Sequence, residues 1–530
     1  MSSRGKIARA AGVMSAATFI SRVLGFIRDM ILARFFGATG TSDVFFVAFR
    51  IPNLLRELFA EGSMSSAFVP VLTEYQTRQG NEEANRLVRA TFIFLFVVVG
   101  LICIAGVMFA PAIVKMIAIG WETGSEKFAS AVLLTRIMFP FLFFISLASV
   151  VMGALNTRGV FFVPALAPAV LNIVTIACIV GLALEFANPV IAAAIGVTAG
   201  GFVQLLFQLP SFFKHGFSFS QSRGAALPRY KGLHPGLKRI GTLILPMTAV
   251  LAVSQINIFI STILASYLSE GSISYLYYSM RLIQFPIGIF GVAMGMAVLP
   301  TLSEHAAMKQ FGALKDDFSF ALRLLLFITV PAMVGLIALR VPIVSTLFQH
   351  GEFSRAATMG TADALVFYSV GIWAIVGVRT LNATFYSMQD TRTPFKIMVC
   401  GVLLNILCSV GLMGPLSYNG LAFANSLAAM FNFLLLFYFL RKKLGGVGTR
   451  RIVSSFAKTC FAAAAMGICG WSATRGDLWT MGGHTGQKAF LLMVAIVGCL
   501  GIYFIASYFL RIEEMAYLVK KVREKVGNNA

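Results

Sequence analysis

Charged side chains are scarce in this 530-residue sequence, where Asp, Glu, Lys and Arg together make up 12% of the residues. Soluble domains carry about 25%. Hydrophobic residues make up 58%, and the mean hydropathy is +0.84. Apolar runs of about 20 residues, the length that crosses a bilayer as a helix, follow one another almost to the end of the chain. The composition excludes an ordinary soluble protein and predicts an all-α polytopic membrane protein.

Residues that could form disulfides or hold metals are also few. The seven cysteines lie inside apolar stretches, where a thiol behaves as a small hydrophobe, and the five histidines lie in or beside loops. No His, Cys, Asp and Glu residues stand at metal-ligand spacing. We therefore expect no disulfide, no metal centre and no cofactor.

Acidic residues are few: the sequence has 21 Asp and Glu but 43 Lys and Arg, which gives a formal net charge of +22. The basic residues fall mainly in the even-numbered loops between apolar runs, as the positive-inside rule requires of cytoplasmic loops. This distribution argues for membrane topology and against nucleic acid as the reason for the charge. It predicts that both termini are cytoplasmic and that the N-terminal apolar run is a membrane helix, not a removable signal peptide.

The apolar runs predict about fourteen transmembrane helices. They lie near residues 12–36, 42–73, 90–118, 128–155, 160–184, 189–212, 240–268, 272–303, 318–340, 360–388, 394–414, 418–440, 454–473 and 487–511.

An internal repeat organises these helices. "ILARFFGATGTSDVFFVAFRIP" (31–52) is echoed by "ILASYLSEGSISYLYYSMRLIQFP" (263–286), "VPVLTE" (69–74) by "LPTLSE" (299–304), and "NTRGVFFVP" with "LNI" (156–173) by "DTRTPFK" with "LNI" (390–406). The offset of about 230–234 residues makes spans seven to twelve a copy of spans one to six. Because six is an even number, the copies enter the membrane in the same direction and are related by a pseudo-two-fold axis along the membrane normal.

The repeat predicts five regions. They are an N-terminal six-helix lobe (1–212), a cytoplasmic linker (213–239), a C-terminal six-helix lobe (240–445), two extra helices (446–511) and a cytoplasmic amphipathic tail (512–530) that is expected to lie on anionic headgroups.

Charged residues interrupt the first two predicted spans, although each costs about 2.5–3.5 kcal/mol at mid-bilayer. On a helical wheel, one arc of the first span holds Thr18, Ser21, Arg22, Gly25, Arg28 and Asp29. A line along the second span, which Pro52 is expected to bend, holds Asp43, Arg50, Glu57 and Glu61. In the second copy, Arg281 occupies the position of Arg50.

Two interpretations explain these charges. In the first, Arg22 with Asp29 and Asp43 with Arg50 form ion pairs that hold neighbouring helices together. In the second, they line a water-filled cavity in which the arginines bind an anion, because a guanidinium group matches phosphate or carboxylate oxygens bidentately. Arginine in both copies favours the second interpretation.

Several stretches resemble one family. "SRVLGFIRD" (21–29), "TSDVFFVAFRIPNLLRELFAEG" (41–62), "AFVPVL" (67–72), "YYSMRLIQFPIGIFGVAMG" (277–295) and "FYSMQDTRTP" (385–394) resemble the MurJ lipid II flippases, the MVF branch of the MOP exporter superfamily. The resemblance covers the whole chain. It implies a transporter, not an enzyme, that moves lipid II from the inner to the outer leaflet of the bacterial cytoplasmic membrane by alternating access, for cell wall synthesis.

The resemblance also implies roles for particular residues. It places the headgroup in a cationic cavity and the polyprenyl tail in a groove formed by the last two helices. The residues implied for substrate binding are Arg22, Arg28, Asp29, Asp43, Arg50 and Arg281, and those implied for a gate are Glu61 and Ser21. Some members carry a sodium-binding carboxylate on the seventh helix, but residues 240–268 contain no acid.

Other functions remain open at the level of sequence. A flippase for another lipid-linked oligosaccharide, or a drug or cation antiporter of the same superfamily, would share the fold. An enzyme acting on lipid-linked sugars would need clustered acids, which the chain does not offer at a membrane face. The expected partners are lipid II and the surrounding membrane lipids, with the cell-wall synthesis machinery as a candidate protein partner. The sequence identifies neither the energy source nor the peptide variant of the substrate.

Overall fold

The computed structural model describes residues 3–58, 63–219, 233–288 and 292–527, and within these ranges the chain is helical with no β-strand. It divides into two compact units, residues 1–270 and 271–530. The first unit contains α1 (Ser3–Phe36), α2 (Gly40–Arg56), α3 (Ser63–Arg78), α4 (Gly80–Met108), α5 (Ala110–Ile117), α6 (Glu126–Thr157), α7 (Phe162–Leu182), α8 (Val190–Lys214) and α9 (Pro235–Ala265).

The second unit has the same kind of architecture and is longer at its C-terminus. It contains α10 (Ser272–Pro286), α11 (Val292–Ala307), α12 (Phe311–Ala338), α13 (Arg340–Phe348), α14 (Arg355–Ser369), α15 (Ile372–Ser387), α16 (Arg392–Leu416), α17 (Tyr418–Leu444), α18 (Thr449–Ala473), α19 (Thr485–Phe509) and α20 (Glu513–Gly527).

The helices match the fourteen predicted spans. Ten helical segments of the described residues are long and apolar enough to cross a membrane, with α14 and α15 counted as one. The other four predicted spans correspond to the charged helix α1, the pair α2 and α3, the helix α9, and the pair α10 and α11. The all-α, polytopic prediction is therefore confirmed.

Helix α6 lies at the centre of the first unit, where it packs against α2, α3, α4 and α8. The most apolar window of α6 is 72% buried, whereas that of α19 in the second unit is 17% buried. In a membrane protein the apolar surface left exposed faces lipid, so α6 is a core helix and α19 presents most of its surface to the bilayer.

Close packing on α6 predicts a stability difference between two glycines of α4. A Cβ on Gly106 would lie 2.0 Å from the ring of Phe139, which is 2% exposed, whereas a Cβ on Gly100 would lie 3.6 Å from Phe143. Both Gly→Ala changes raise helix propensity by about 1 kcal/mol, but overpacking at Gly106 costs about 1–3 kcal/mol. We expect Gly106→Ala to lower the melting temperature in detergent and Gly100→Ala to leave it equal or higher. Equal melting temperatures would contradict this packing.

Both units contain a π-type turn at a corresponding place in a membrane segment. The turn widens at residues 57–58 after α2 and at 287–288 after α10. Pro286 lies directly before the second turn and Pro52 lies about one and a half helical turns before the first, and each proline removes a backbone donor from its helix. The second span therefore contains a widened turn within the described residues, whereas residues 59–62 and 289–291, which precede α3 and α11, lie outside them.

The ends of the helices define the register of the repeat. Thr157 and Ser387 end α6 and α15, and Lys214 and Leu444 end α8 and α17, with about 230 residues between the members of each pair. Val160 N donates to Leu155 O in the first copy, and Asp390 N donates to Phe385 O in the second. The predicted match of "NTRG" with "DTRT" is therefore wrong by one helical turn, because Asn156 corresponds to Tyr386.

Helix α9 packs within the first unit, although it is the first helix of the second sequence copy. It contacts α2, α3, α4 and α5, and both of its ends are tied there. His234 Nε2 lies 3.1 Å from Glu83 Oε1, and Gly120 N donates to Ser266 Oγ at 3.1 Å. The compact division thus falls one helix after the predicted linker, about half of which (220–232) lies outside the described residues. The division into two six-helix lobes stays a prediction.

Helices α18 and α19 are attached to the second unit near both membrane faces. At one end, the buried Lys488 Nζ donates to Ser345 Oγ at 2.8 Å and to Met481 O at 2.6 Å. At the other end, Arg323 of α12 lies 2.6 Å from Glu514 of α20, which also accepts from Ser455 of α18. The first turn of the amphipathic tail is therefore bound to protein, where the sequence suggested contact with headgroups.

Candidate functional site

Arg28 and Asp29 form the most buried charged pair of α1. Arg28 Nη2 donates to Asp29 Oδ1 at 2.8 Å and Nη1 donates to Asn172 Oδ1 of α7 at 3.1 Å. Asp29 is 1% exposed, and the Arg28 side chain is 12% exposed. Asn172 Nδ2 in turn donates to the carbonyl oxygen of Ser21 at 3.3 Å. The structure therefore joins three of the predicted residues through an asparagine that the prediction did not include.

Arg22 does not share this burial. It is exposed, and Ser21 is half-buried. The first interpretation of the sequence paired Arg22 with Asp29, whereas the bond to Asp29 comes from its chain neighbour Arg28. The predicted polar face of α1 is thus divided between an exposed arginine and a buried ion pair.

Asp43 lies in a second cluster, in the first turn of α2. It is 1% exposed, and its Oδ2 lies 3.7 Å from Lys127 Nζ of α6. The same ammonium group lies 3.5 Å from Glu270 Oε1 and 4.6 Å from the ring centre of Trp121. A carboxylate in the first turn of a helix also interacts favourably with the helix dipole. Asp43 therefore helps to fix this end of α2 against the start of α6.

The π-type turn after α2 carries a third group of polar side chains. Glu57 accepts a 3.0 Å hydrogen bond from Asn53 Nδ2 and a further hydrogen bond from Gln255 Nε2 of α9. Arg56 Nε donates to Asn53 Oδ1 at 3.1 Å. The contact with Gln255 connects this turn to α9. Arg50 lies half-buried about two turns before the π-type turn, and the predicted gate residue Glu61 falls at 59–62, outside the described residues.

Arg281 occupies the matching place in the second unit, about two turns before the π-type turn at 287–288. Its Nη2 donates to the hydroxyl oxygen of Tyr277 at 2.9 Å, and its Nη1 donates to Gln284 Oε1 at 3.3 Å. The guanidinium carbon lies 5.2 Å from the centre of the Tyr277 ring. The contacts with Tyr277 and Gln284 hold the planar guanidinium fork in a defined orientation.

These charged residues were predicted from the sequence, but the residues that they contact were not. Asn172 was visible in the repeated "LNI" stretch, since a buried amide in an apolar helix needs a hydrogen-bond partner. Lys127 and Glu270 lie near predicted loops and carried no signal. Within the described part of the chain, no group of His, Cys, Asp and Glu residues is arranged to hold a metal ion.

Charged residues inside membrane segments are typical of transporter pathways, because an isolated charge in hydrocarbon is costly. The internal repeat and the charged residues in membrane segments of both units define the class of this protein as a polytopic membrane transporter.

Comparison with known sequences identifies the family. The chain belongs to the family described as lipid II flippase MurJ, whose model matches residues 32–487. A protein described as a probable lipid II flippase MurJ from Vibrio cholerae is 37% identical over 506 residues, which cover 94% of each chain. A lipid II flippase MurJ from Burkholderia cenocepacia is 35% identical over 507 residues, which cover 94% of this chain and 96% of that protein.

Solved structures agree with this assignment. A lipid II flippase MurJ in an inward closed conformation matches with a TM-score of 0.76 and 28% identity, covering 94% of this chain and 98% of that one. An inward-facing multidrug resistance transporter of the MATE family, in the MOP superfamily, matches with a TM-score of 0.65 at 15% identity and covers 82% of this chain and 98% of that one. The second match concerns the fold alone.

Proposed function

We propose that this chain moves lipid II from the inner to the outer leaflet of the bacterial cytoplasmic membrane by alternating access, and so supplies precursor for cell wall synthesis. The observation that carries the proposal is Arg281, which lies about two turns before a π-type turn in a membrane segment and donates hydrogen bonds to Tyr277 and Gln284. Membership of the MurJ family supports the choice of substrate.

The chemistry of the substrate fits this arrangement. Lipid II carries a diphosphate and peptide carboxylates, so its headgroup is a polyanion. Planar guanidinium groups bind phosphate oxygens bidentately, and their charge is worth more where water is excluded. We assign the headgroup path to Arg22, Arg28, Asp29, Arg50 and Arg281, with Asp29 positioning Arg28 through their 2.8 Å contact.

Asp43, Ser21 and Glu61 complete the proposed site. The pairing of Asp43 with Lys127 supports a role in holding the end of α2, in addition to the substrate contact implied by the resemblance. The carbonyl oxygen of Ser21 accepts from Asn172, which supports a gate in which α1 and α7 move together. Glu61 remains a proposed gate residue.

The exposed apolar surface of the last two membrane helices supports a path for the polyprenyl tail. Phe461, Ile468, Phe490 and Met493 are each at least 65% exposed. A lipid substrate can leave its tail in hydrocarbon while only the headgroup crosses, so helices that guide the tail need an apolar outer face. We assign residues 446–511 to this groove.

Complementation of a depleted strain tests the proposed function. Conditional depletion of a host's own lipid II flippase, followed by expression of this chain, should restore growth and rod shape and should return lipid II to the outer leaflet. The level of lipid II accessible from outside the cell is the measurement. Growth without a rise in external lipid II would contradict the proposal, and transport of cationic drugs in its place would favour an antiporter.

The proposed topology predicts labelling from opposite sides of the membrane. Gln310, between α11 and α12, should face the cytoplasm, and Thr485, at the start of α19, should face outward, because basic loops resist translocation. In a background without the seven native cysteines, a membrane-impermeant maleimide added to whole cells should label Thr485→Cys and not Gln310→Cys. Lysed cells control for reactivity, and labelling of both sites in intact cells would overturn the topology.

A further inference from the structure

A cavity of about 860 Å³ lies within the second unit, and Arg281 is not among the residues that line it. It opens among the end of α11, the start of α12, the end of α15 and the end of α17. Its polar lining includes Ser303, Lys315, Ser387 and Lys443, and none of its lining residues is acidic. In the proposed topology these helix ends face the cytoplasm.

A hydrogen bond spans the corresponding place in the first unit. There Gln76 Nε2 of α3 donates to Thr157 Oγ1 at the end of α6 at 2.8 Å. In the register set by the helix ends, Ala306 replaces Gln76 and Ser387 replaces Thr157, and both line the cavity. Ala306 has no side-chain donor, so the second copy lacks this bridge between α11 and α15.

A second replacement adds charge to the opening. Asn85 of the first copy donates to the carbonyl oxygen of Gly216 at 3.0 Å. Lys315 stands at the same place of α12, half-buried in the lining of the cavity. No ion pair or hydrogen bond of its ammonium group is present within the described residues. The second copy thus exchanges an amide that donates to Gly216 for a cation that lines the cavity.

Lys443 is the second cation of the cavity, and its position is fixed. Its Nζ lies 2.7 Å from Asp390 Oδ2, which also accepts from the backbone N and the hydroxyl of Thr393. Burial opposes ionisation of Asp390, but the hydrogen bonds from Lys443 and Thr393 outweigh it and hold the pKa of this carboxyl below its ordinary value. Asp390 is therefore an anion at neutral pH and holds one side of the ammonium group, which leaves other N–H donors for a ligand.

We propose that this cavity binds the phosphate group of a small phosphorylated molecule at the cytoplasmic face. Basic pockets between the cytoplasmic ends of membrane helices are suited to phosphate headgroups, and ammonium groups act there as point charges. The volume matches that of small-ligand sites. The nearby acids Asp316 and Asp317 do not line the cavity, and Asp317 is paired with His305 at 3.0 Å.

The phosphate has two sources that the geometry permits. Met308, Phe311 and Tyr386 at this end of the helices are 58%, 45% and 48% exposed, which suits the glycerol and acyl portion of a membrane phospholipid. The cytoplasm also supplies soluble phosphate esters. Both sources present the same group to Lys315 and Lys443, so the experiment has an arm for each.

Lysine footprinting of the purified full-length chain tests the site. The protein is briefly acetylated with and without glycerol 3-phosphate, with glycerol as the control. The lipid arm uses nanodiscs of phosphatidylglycerol against nanodiscs of phosphatidylcholine. At ligand concentrations a few times the dissociation constant, acetylation of Lys315 should fall about threefold. Lys309, which is exposed in the neighbouring loop, is the internal reference and should not change.

Two variants that restore residues of the first copy complete the test. Ala306→Gln should close the cavity by bonding to Ser387, and protection of Lys315 should then disappear. Lys315→Asn should remove the protection of Lys443. Protection by glycerol 3-phosphate assigns a soluble ligand, and protection only in phosphatidylglycerol assigns a lipid. The proposal is overturned if neither probe protects Lys315, or if protection persists in Ala306→Gln. Lysine footprinting does not measure lipid II transport, so a negative result for this cavity would not contradict the proposed function.

Discussion

Replacing Arg281 by lysine is expected to remove most lipid II transport, although the positive charge remains. The guanidinium group contacts the hydroxyl of Tyr277 through two nitrogens and Gln284 through a third. Lysine has a single nitrogen, so it can neither keep this orientation nor offer a fork to a diphosphate. Loss of one charged hydrogen bond of about 1.5–3 kcal/mol predicts a decrease in transport of at least about tenfold.

The matched control for this change is Arg355→Lys. Arg355 is exposed in the first turn of α14. This variant should retain full transport, and membrane abundance of both variants should equal that of the unmodified chain. Full transport by Arg281→Lys, with unchanged lipid II binding, would show that a general positive potential is sufficient and that the fork has no specific role.

Arg28 is expected to behave differently, because its loss also affects stability. Asp29 is 1% exposed, and Arg28 is bonded to it at 2.8 Å. Removing one member of a buried ion pair costs about 3–5 kcal/mol, whereas replacing both members by neutral groups of similar volume costs much less. We therefore expect Arg28→Ala to lower both abundance and transport, and Arg28→Met combined with Asp29→Asn to recover abundance alone.

This pair of variants separates the two interpretations of the charges in α1. Melting temperature in detergent measures the recovery of folding, and transport per folded molecule measures the contribution of Arg28 to the headgroup path. If the double variant recovers transport together with abundance, Arg28 and Asp29 serve only to hold α1 against α7, and Arg28 does not contact the substrate.

The number and position of the membrane helices could be predicted from the sequence. Hydropathy reports the transfer of each segment from water to hydrocarbon, which is a local property of about 20 residues. The π-type turn after α2 could not be placed in this way. Pro52 signals a bend, but the backbone widens at residues 57–58, where Glu57 meets Gln255 of a helix almost 200 residues later in the chain.

The helix face on which a charged residue lies was predicted better than the residue that it contacts. Periodicity places Asp43 and Arg50 along one side of a helix, but it does not identify the helix that packs there. Lys127 of α6 reaches Asp43, and Asn172 of α7 reaches Arg28. Both contacts depend on tertiary packing, which spacing along one helix does not encode.

The repeat illustrates a second limit of sequence matching. Similar letters at 156–159 and 390–393 suggested an offset four residues larger than the one the turns adopt. The chain reverses with a positive φ at Gly159 in the first copy and at Gln389 in the second. The two copies therefore share the backbone geometry of this turn although the residues around it differ. The offset of about 230 residues that follows from it aligns Ala306 with Gln76 and Ser387 with Thr157.

Transport of lipid II by the purified chain can be measured in proteoliposomes. Fluorescent lipid II is incorporated into both leaflets, and the fraction accessible to an external quencher is followed with and without an imposed membrane potential. Lipid II should cross in vesicles that contain the unmodified chain, and the rate of crossing should fall at least about tenfold with Arg281→Lys. Lipid II that stays in its original leaflet under both conditions, with correctly folded protein present, would contradict the proposed function.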